Sequence, residues 1–157
     1  MGVTPMRRPE KEVPDPAWCR AVLDEAPYLM LALNDRGAPY TVPLCVALAG
    51  DGVYLHMAIA GRKLDLLRAD PRAGFTAVAH AAVVPGTTAC ATGMRASSVA
   101  GTARCVVVDD PNERRSALDA FALKYTGGVP DGYPDAALAA TVVVRLDPVS
   151  VTGRRTG

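Results

Sequence analysis

The hydrophobic pattern changes its period several times along the chain, and these changes predict the order of the elements. Apolar positions with helical periodicity predict a first helix, with Asp15 as its cap, Pro16 at its first position and Pro27 beyond its end. Three strand-like apolar runs follow, separated by tight turns with Asn, Asp and Gly that are typical of antiparallel hairpins. These runs are YLMLALND, TVPLCVALAG and VYLHMAI.

The middle of the chain combines one more helix with longer strands. The helical segment from Arg62 is predicted to end at the Asp70–Pro71 step, because the residue before a proline avoids the α region. AGFTAVAHAAVV and SSVAGTARCVVV are strand-like, and Gly101 in the second run indicates a bulge or close packing. The segment PGTTACATG between them is predicted to be a loop.

The strongest helix signal lies in the last third of the chain. Asp110 is predicted to cap a helix, with Pro111 at its first position and Glu113 as the carboxylate of a capping box. Gly127 and Gly128 are predicted to end that helix. The final apolar run, ATVVVRLDPVSVTGR, predicts a closing strand that bends at its proline.

This order of elements predicts one mainly β domain over residues 1–157, a β-barrel with helical additions. About six strands follow one another through turns too short for parallel crossovers, so a parallel α/β fold is not expected. A chain of 157 residues can bury a core without metals or disulfides. Its four cysteines, Cys19, Cys45, Cys90 and Cys105, show no zinc-ligand spacing, so reduced thiols and no metal site are expected.

The charge balance of the chain argues against some classes of binding partner. The chain has 17 Lys and Arg against 16 Asp and Glu, without the basic excess of a nucleic-acid or membrane-surface binder. No apolar run reaches the roughly 20 residues that span a bilayer, and the N-terminal segment MGVTPMRRPEKEVPDP has no apolar core of a signal peptide. A cytoplasmic location is therefore expected.

The turn Gly61–Arg62–Lys63 is the strongest candidate for chemistry. A helix start leaves backbone N–H groups unpaired and carries partial positive charge, so two cations there are locally unfavourable. A bound anion would reverse that cost, because the N–H groups and both side chains would converge on it. The local sequence fits phosphate binding and a solvated helix end equally well, and the chain has no other phosphate motif.

A single histidine, His56, lies in an apolar strand five residues before Gly61. Such a residue is often a structural one, although its position beside the anion candidate favours a functional role. No hydrolytic motif accompanies it, since neither Ser97 nor Ser98 lies in a GxSxG turn. If the protein is an enzyme, we expect a cofactor to carry out the chemistry while the protein binds and orients it.

The chain resembles the pyridoxamine 5′-phosphate oxidase-related flavin-binding split barrels, and within them the nitroimidazole-resistance branch. The resemblance runs over nearly the whole chain through five segments in the family's order. The most specific is a strand with a histidine, then Gly-Arg-Lys, then a helix that ends at Asp-Pro. The segments are MRRPEKEV, GAPYTVPLCVAL, VYLHMAIAGRKLDLLRADPR, SSVAGTARCVV and VTGR.

The resemblance implies a six-stranded antiparallel split β-barrel that forms a homodimer, with FMN at the subunit interface. Arg62 and Lys63 would bind the FMN phosphate, and His56 would lie near the reactive site. Further cofactor contacts would come from a strand along the flavin ring, from the approach to the turn and from a serine-containing strand. These residues are Val42, Pro43, Leu44, Cys45, Met57 and Ser98.

Two departures limit the function that the resemblance implies. Val42 and Ala47 replace an arginine and a lysine of the oxidases proper, whose C-terminal substrate motif is also missing, so oxidation of vitamin B6 is not expected. The sequence therefore predicts an FMN-dependent oxidoreductase of small acceptors, with nitro-aromatics as one class. The alternatives are a non-catalytic flavin-binding or electron-transfer module, or the same barrel with a deazaflavin or with heme ligated by His56.

Overall fold

A computed structural model of the protein describes residues 6–157, which excludes the first five residues of the N-terminal segment considered above. The helices are α1 (Pro16–Glu25), α2 (Arg62–Ala69), α3 (Pro111–Thr126) and α4 (Asp135–Ala139), preceded by a 3-10 turn over Pro9–Lys11. The strands are β1 (Glu12–Val13), β2 (Leu29–Asp35), β3 (Ala38–Leu44), β4 (Val46–Ala49), β5 (Gly52–Ala58), β6 (Arg72–Val84), β7 (Gly93–Val107) and β8 (Thr141–Thr156).

All strands belong to one antiparallel sheet with the order β3-β2-β6-β7-β8-β5-β4, and β1 pairs with β8. The two ends of this order, β3 and β4, are successive in the chain and are separated only by Cys45. One stretch of chain therefore pairs with β2 through its first half and with β5 through its second half, which closes the barrel. With β3 and β4 taken together and the two-residue β1 set aside, the six-stranded split barrel predicted from the sequence is confirmed.

The barrel interior is filled by alternate residues of its strands and closed by two helices. Leu29, Leu31 and Leu55 point inwards and are fully buried, as period-2 alternation requires. Helix α1 contributes Val22, and α2 contributes Leu64, which is 1% exposed. Burial of one such side chain stabilises the fold by about 1.5–3 kcal/mol. No helix among residues 6–157 is long and apolar enough to cross a membrane.

The turn between β2 and β3 confirms the hairpin predicted from Asn34, Asp35 and Gly37. Its two central residues, Arg36 and Gly37, have φ values of 53° and 93°, the left-handed conformation that two-residue hairpin turns need. The side chain of Asn34 accepts a hydrogen bond of 2.7 Å from the N–H of Gly37. The end of α2 also agrees with the sequence, since the helix stops at Ala69, before Asp70–Pro71.

The β6–β7 hairpin is longer than the sequence indicated. Strand β7 begins at Gly93, so part of the predicted loop PGTTACATG is strand. Gly101 is a site of close packing as predicted, because a Cβ there would lie 2.2 Å from the carbonyl oxygen of Ser150. The predicted bend of the last strand coincides with a register shift near Pro148. Helix α4 was not predicted.

Helix α3 covers the outer face of β4, β5 and β8, where Phe121, Tyr54 and Val143 form a second apolar cluster. Asp110 caps the helix by accepting a bond of 2.7 Å from the N–H of Glu113. The predicted capping box is only half formed. The Glu113 carboxylate instead accepts bonds from the Tyr54 hydroxyl at 3.0 Å and the Arg145 guanidinium at 2.7 Å, because both groups lie on the sheet beneath it.

Two residues near the end of α3 hold the break between β3 and β4. The ammonium group of Lys124 donates to the carbonyl oxygens of Leu23 at 3.3 Å, Ala26 at 2.9 Å and Val46 at 2.8 Å. The hydroxyl of Tyr125 accepts a bond of 2.9 Å from the N–H of Val46. We call this pair the Lys124–Tyr125 clamp. The clamp ties α1 to the strand break and was not predicted from the sequence.

Candidate functional site

The start of α2 offers backbone N–H groups to an external ligand. Gly61 precedes the helix with φ of 117°, and no atom lies within 4 Å of the position that a Cβ would take. The N–H groups of Leu64 and Asp65 both donate to the Gly61 carbonyl, at 3.0 and 3.2 Å. In residues 6–157 the N–H groups of Arg62 and Lys63 have no partner. Two donors therefore remain free at the positive end of the helix dipole.

The two cations of the predicted phosphate site differ in their surroundings. The Arg62 guanidinium donates to Asp35 through Nε at 3.0 Å, pairs with it through Nη2, and lies 4.5 Å from the centre of the Tyr40 ring. Asp35, at the end of β2, therefore holds the Arg62 guanidinium. Lys63 is half-buried and makes no ion pair within the described part of the chain. Lys63 is the available cation.

The surroundings of Arg62 favour an anion on the Lys63 side of the turn. A cavity of about 720 Å³ lies between α2 and the β2–β3 turn, and its lining includes three carboxylates against two guanidiniums. The carboxylates belong to Asp35, Asp65 and Asp70. An anionic group in that cavity would meet like charge, which is unfavourable at short range. Among residues 6–157, no carboxylate accepts a hydrogen bond from Gly61 or Lys63, which lie at the open side of the turn.

His56 lies on the outer face of β5, beneath α3. Its ring meets the Phe121 ring edge to face, with 4.5 Å between centres and 83° between planes. Its Nδ1 atom is buried and has no hydrogen-bond partner within the described residues. Burial lowers the pKa of His56 from 6.5, and the nearby Lys63 ammonium lowers this pKa further. The imidazole is therefore neutral at pH 7, suited to hydrogen bonding rather than to proton donation.

The depressed pKa of His56 predicts a loss of stability in acid. Below pH 6.5 the unfolded chain binds a proton at this position more readily than the folded chain, so the free energy of unfolding falls as the pH falls. Urea unfolding at pH values on either side of 6.5 measures the decline. We expect the His56→Gln variant to show a smaller decline, whereas the control variant His80→Gln, which changes an exposed histidine, should keep it. An undiminished decline in His56→Gln would contradict this assignment.

The other residues predicted to bind the cofactor lie on both faces of the sheet, because successive side chains along a strand point to opposite faces. Pro43 and Cys45 point outwards, whereas Val42 packs against the barrel core and Leu44 is buried in it. Met57 is also a core residue and is 4% exposed. The side chains of Leu44 and Met57 therefore face away from an external ligand, because the sheet places them on its inner face, whereas Val42 is only partly buried.

Ser98 lies apart from the other predicted site residues. It pairs with Val78 of β6. Val78 lies six residues beyond Arg72, which is the first residue of β6 and follows shortly after α2. At about 3.3 Å per residue this places Ser98 roughly 20 Å along the barrel from the end of α2. Within one chain Lys63 is near enough to His56 to affect its pKa, whereas Ser98 lies apart from the start of α2.

Solved structures with the same fold include a candidate 5-nitroimidazole antibiotic resistance protein from Bacteroides thetaiotaomicron. It is 24% identical, with a TM-score of 0.76 and coverage of 90% of this chain and 84% of that chain. The FAD and heme binding protein from Mycobacterium smegmatis is 20% identical, with a TM-score of 0.81 and coverage of 93% and 73%. The flavocytochrome Anf3 from Azotobacter vinelandii is 20% identical, with a TM-score of 0.80 and coverage of 97% and 72%.

Sequence comparisons place the chain in a family. A search of curated proteins found no match. The family described as pyridoxamine 5′-phosphate oxidase matches residues 15–155, which include β3, β4, α2 and all but the last residue of β8. The match covers nearly the whole chain, and the closed antiparallel barrel agrees with it. The protein therefore belongs to the pyridoxamine 5′-phosphate oxidase family.

Proposed function

We propose that the protein binds FMN, with the phosphate at the first turn of α2, and acts as an FMN-dependent oxidoreductase of small acceptors. The observation that carries this proposal is the group of unused donors there, the N–H groups of Arg62 and Lys63 and the Lys63 ammonium. These donors fit a phosphate in chemistry, because backbone amides at a helix start and one cation are its common ligands. The open space at Gly61 leaves room for it.

The relatives support a flavin as the cofactor. The names of three solved structures state that a protein from Mycobacterium smegmatis binds FAD and heme, a second from that organism binds FAD, and one from Mesorhizobium loti binds FAD. We propose FMN rather than FAD because the donors at α2 suit a terminal phosphate. Pro43 and Cys45, on the outer face of the same barrel, would border its ring system.

In the proposed reaction the protein binds and orients, and bound FMN would supply hydride transfer. Lys63 would neutralise the phosphate, and the neutral His56 would orient the acceptor through a hydrogen bond. A buried, unpaired ring nitrogen costs about 1–3 kcal/mol, so a ligand group that reached Nδ1 of His56 would recover part of that free energy. We propose nitro-aromatic compounds as the acceptors to test first and a homodimer with FMN at the subunit interface as the assembly.

Titration with FMN and with riboflavin tests the phosphate assignment. The two ligands share the ring system and differ in the phosphate, so we expect FMN to bind about tenfold to hundredfold more tightly. Quenching of flavin fluorescence measures both dissociation constants. Equal affinities would show that the phosphate is not recognised, and a Soret band instead of flavin absorbance in the purified protein would favour heme at His56.

Turnover separates the oxidoreductase from a non-catalytic flavin-binding or electron-transfer module. We would follow reduction of a nitro-aromatic or a quinone by the FMN-loaded protein with an added two-electron reductant, a reduced nicotinamide, as the electron donor, and with free FMN at the same concentration as the control. A rate above that of free FMN supports the enzyme. A rate equal to that of free FMN, with tight FMN binding, supports the module. If the cofactor is a deazaflavin, the purified protein should show the absorbance of a deazaflavin and should not bind FMN.

A further inference from the structure

His56 and Lys63 lie on two successive elements that are joined by a very short turn. His56 is near the end of β5, Lys63 is the second residue of α2, and residues 59–61 form the turn between them. The N–H of Ile59 donates a bond of 3.2 Å to the carbonyl oxygen of Ala140, which fixes the turn to the chain just before β8. The first turn of α2 is therefore held close to the end of β5, where His56 lies.

The positive charge of Lys63 has no counter-ion within the protein. Its side chain is half-buried, and its ammonium group makes no ion pair within residues 6–157. Burial is the larger cause of the low pKa of His56, and the Lys63 ammonium is the second. A proton on the His56 ring would thus add a second positive charge near the first, and the two charges repel each other.

The charged groups on the other elements packed around His56 already have partners inside the protein. The basic side chains donate to carboxylates or to backbone carbonyl groups, and the acidic side chain accepts from a hydroxyl and a guanidinium. Among the charged groups of the described chain, the Lys63 ammonium is the one that acts on the pKa of His56. The neighbouring charged and titratable groups are Arg62 on α2, Glu113, Arg114, Lys124 and Tyr125 on α3, Tyr54 on β5, Arg145 on β8 and Cys45 at the strand break.

We infer that an anion at the first turn of α2 and a proton on His56 bind cooperatively, with the Lys63 ammonium as the group that couples them. An anion paired with the ammonium offsets the repulsion between Lys63 and a protonated His56, so the proton then binds more readily. Coupling between two binding events is reciprocal, and protonation of His56 therefore tightens the binding of the anion. The inference rests on the proposed phosphate site and makes the affinity of that site depend on pH.

The direction of the pH effect follows from the order of the two pKa values. In the free protein His56 becomes half protonated at a pH below 6.5. The bound anion raises the pKa of His56 above its value in the free protein, so the affinity for the anion rises as the pH falls between these two values. The FMN phosphate loses a negative charge in acid, near about pH 6, which acts in the opposite direction. Comparison with a chain that lacks His56 separates the two effects.

Nuclear magnetic resonance of the histidine rings measures the coupling directly. The chain has two histidines, so the ring signal that remains in the His80→Gln variant belongs to His56. We expect saturating FMN to raise the proton affinity of His56 about fivefold, which is at the lower end of couplings between sites. Riboflavin, which lacks the phosphate, should not raise it. In the unchanged chain, the exposed His80 ring should titrate alike with and without FMN.

The outcomes of this measurement distinguish the inference from the proposed function. If FMN binds and the midpoint of the His56 titration does not rise, the coupling is refuted and the FMN site is not. If riboflavin raises the midpoint as much as FMN does, the phosphate is not the coupled group, which also refutes the inference. A lack of any FMN binding would refute the proposed function and the inference together.

Two variants of the ligand-free protein test the role of the ammonium without any flavin. Lys63→Met removes the charge that disfavours protonation, so the pKa of His56 should rise. Arg68→Met removes a positive charge from an exposed position in the last turn of the same helix and should leave the His56 titration in place. Equal changes in the two variants would show a general effect of charge and would contradict the role of Lys63.

The affinity for FMN provides the reciprocal measurement. We would determine the dissociation constants of the unchanged chain and of His56→Gln by flavin fluorescence between pH 8 and about pH 5.5. Relative to His56→Gln, the unchanged chain should gain about threefold to fivefold in affinity over this range. The titration of the FMN phosphate affects both chains equally and cancels in the ratio. The same pH dependence in both chains would overturn the inference.

Discussion

Replacement of both Arg62 and Lys63 by alanine is expected to weaken FMN binding about a hundredfold. The change removes the available ammonium and the guanidinium from the first turn of α2 and leaves only the backbone donors. Charge-assisted hydrogen bonds contribute about 1.5–3 kcal/mol each, and each 1.4 kcal/mol is about tenfold in affinity. Fluorescence titration with FMN measures the loss, and riboflavin should be affected far less.

Single variants show which cation binds the phosphate. Because Arg62 is held by Asp35 and Lys63 is free, Lys63→Ala should cause most of the loss and Arg62→Ala a smaller part. Asp35→Asn is a control with the opposite expected effect on FMN affinity. It removes the ion pair that holds Arg62 and should therefore strengthen FMN binding. Unchanged FMN affinity in the double variant would refute the phosphate assignment, whatever its effect on stability.

Replacement of Lys124 by methionine is expected to lower the free energy of unfolding by about 2 kcal/mol. The ammonium donates to three carbonyl groups that come from the end of α1 and from β4. Methionine fills a similar volume but leaves those carbonyls without their donor. Burial lowers the pKa of Lys124, which shows that desolvation of the charge offsets part of the gain. Urea unfolding monitored by circular dichroism measures the difference.

Two further variants separate the clamp from a general effect of charge. Lys11→Met removes a lysine that makes no ion pair with a carboxylate in the described residues and should change stability by less than about 0.5 kcal/mol. Tyr125→Phe removes the hydroxyl that accepts from the N–H of Val46 and should cost about 1 kcal/mol. If Lys124→Met and Lys11→Met were equally stable, the clamp would not hold the strand break.

Features encoded within a few residues were predicted from the sequence. The caps Asp15 and Asp110 bind N–H groups two and three residues away, and the β2–β3 turn is formed by adjacent residues. The end of α2 follows from the conformation of a single residue before a proline. In each case the residue that determines the cap, turn or helix end lies in the same short segment as that feature. Such a feature can therefore be predicted from the sequence alone.

Features that join distant segments could not be predicted in this way. Arg62 meets Asp35 across 27 residues, and Lys124 reaches Leu23 across 101. Glu113 satisfied the local pattern of a capping box, but the Arg145 guanidinium, which lies 32 residues away, binds its carboxylate instead. The start of α2 could be located from the sequence, because local geometry decides it, but the phosphate site proposed there stays a prediction. The charges around it could not be predicted, because the fold brings them together from distant segments.

The position of β8 in the sheet has a consequence for how the protein folds. This strand follows all the others in the chain, yet it lies between β7 and β5 and joins the two halves of the barrel. A nascent chain that has not yet reached Thr141 can form its hairpins but cannot close the sheet, so β5 and β7 both keep an unpaired edge. Such edges invite pairing with other chains. Closure must wait for contacts of long sequence separation, which are slow to form. The barrel is thus exposed to aggregation until β8 has been synthesised and has paired with both strands.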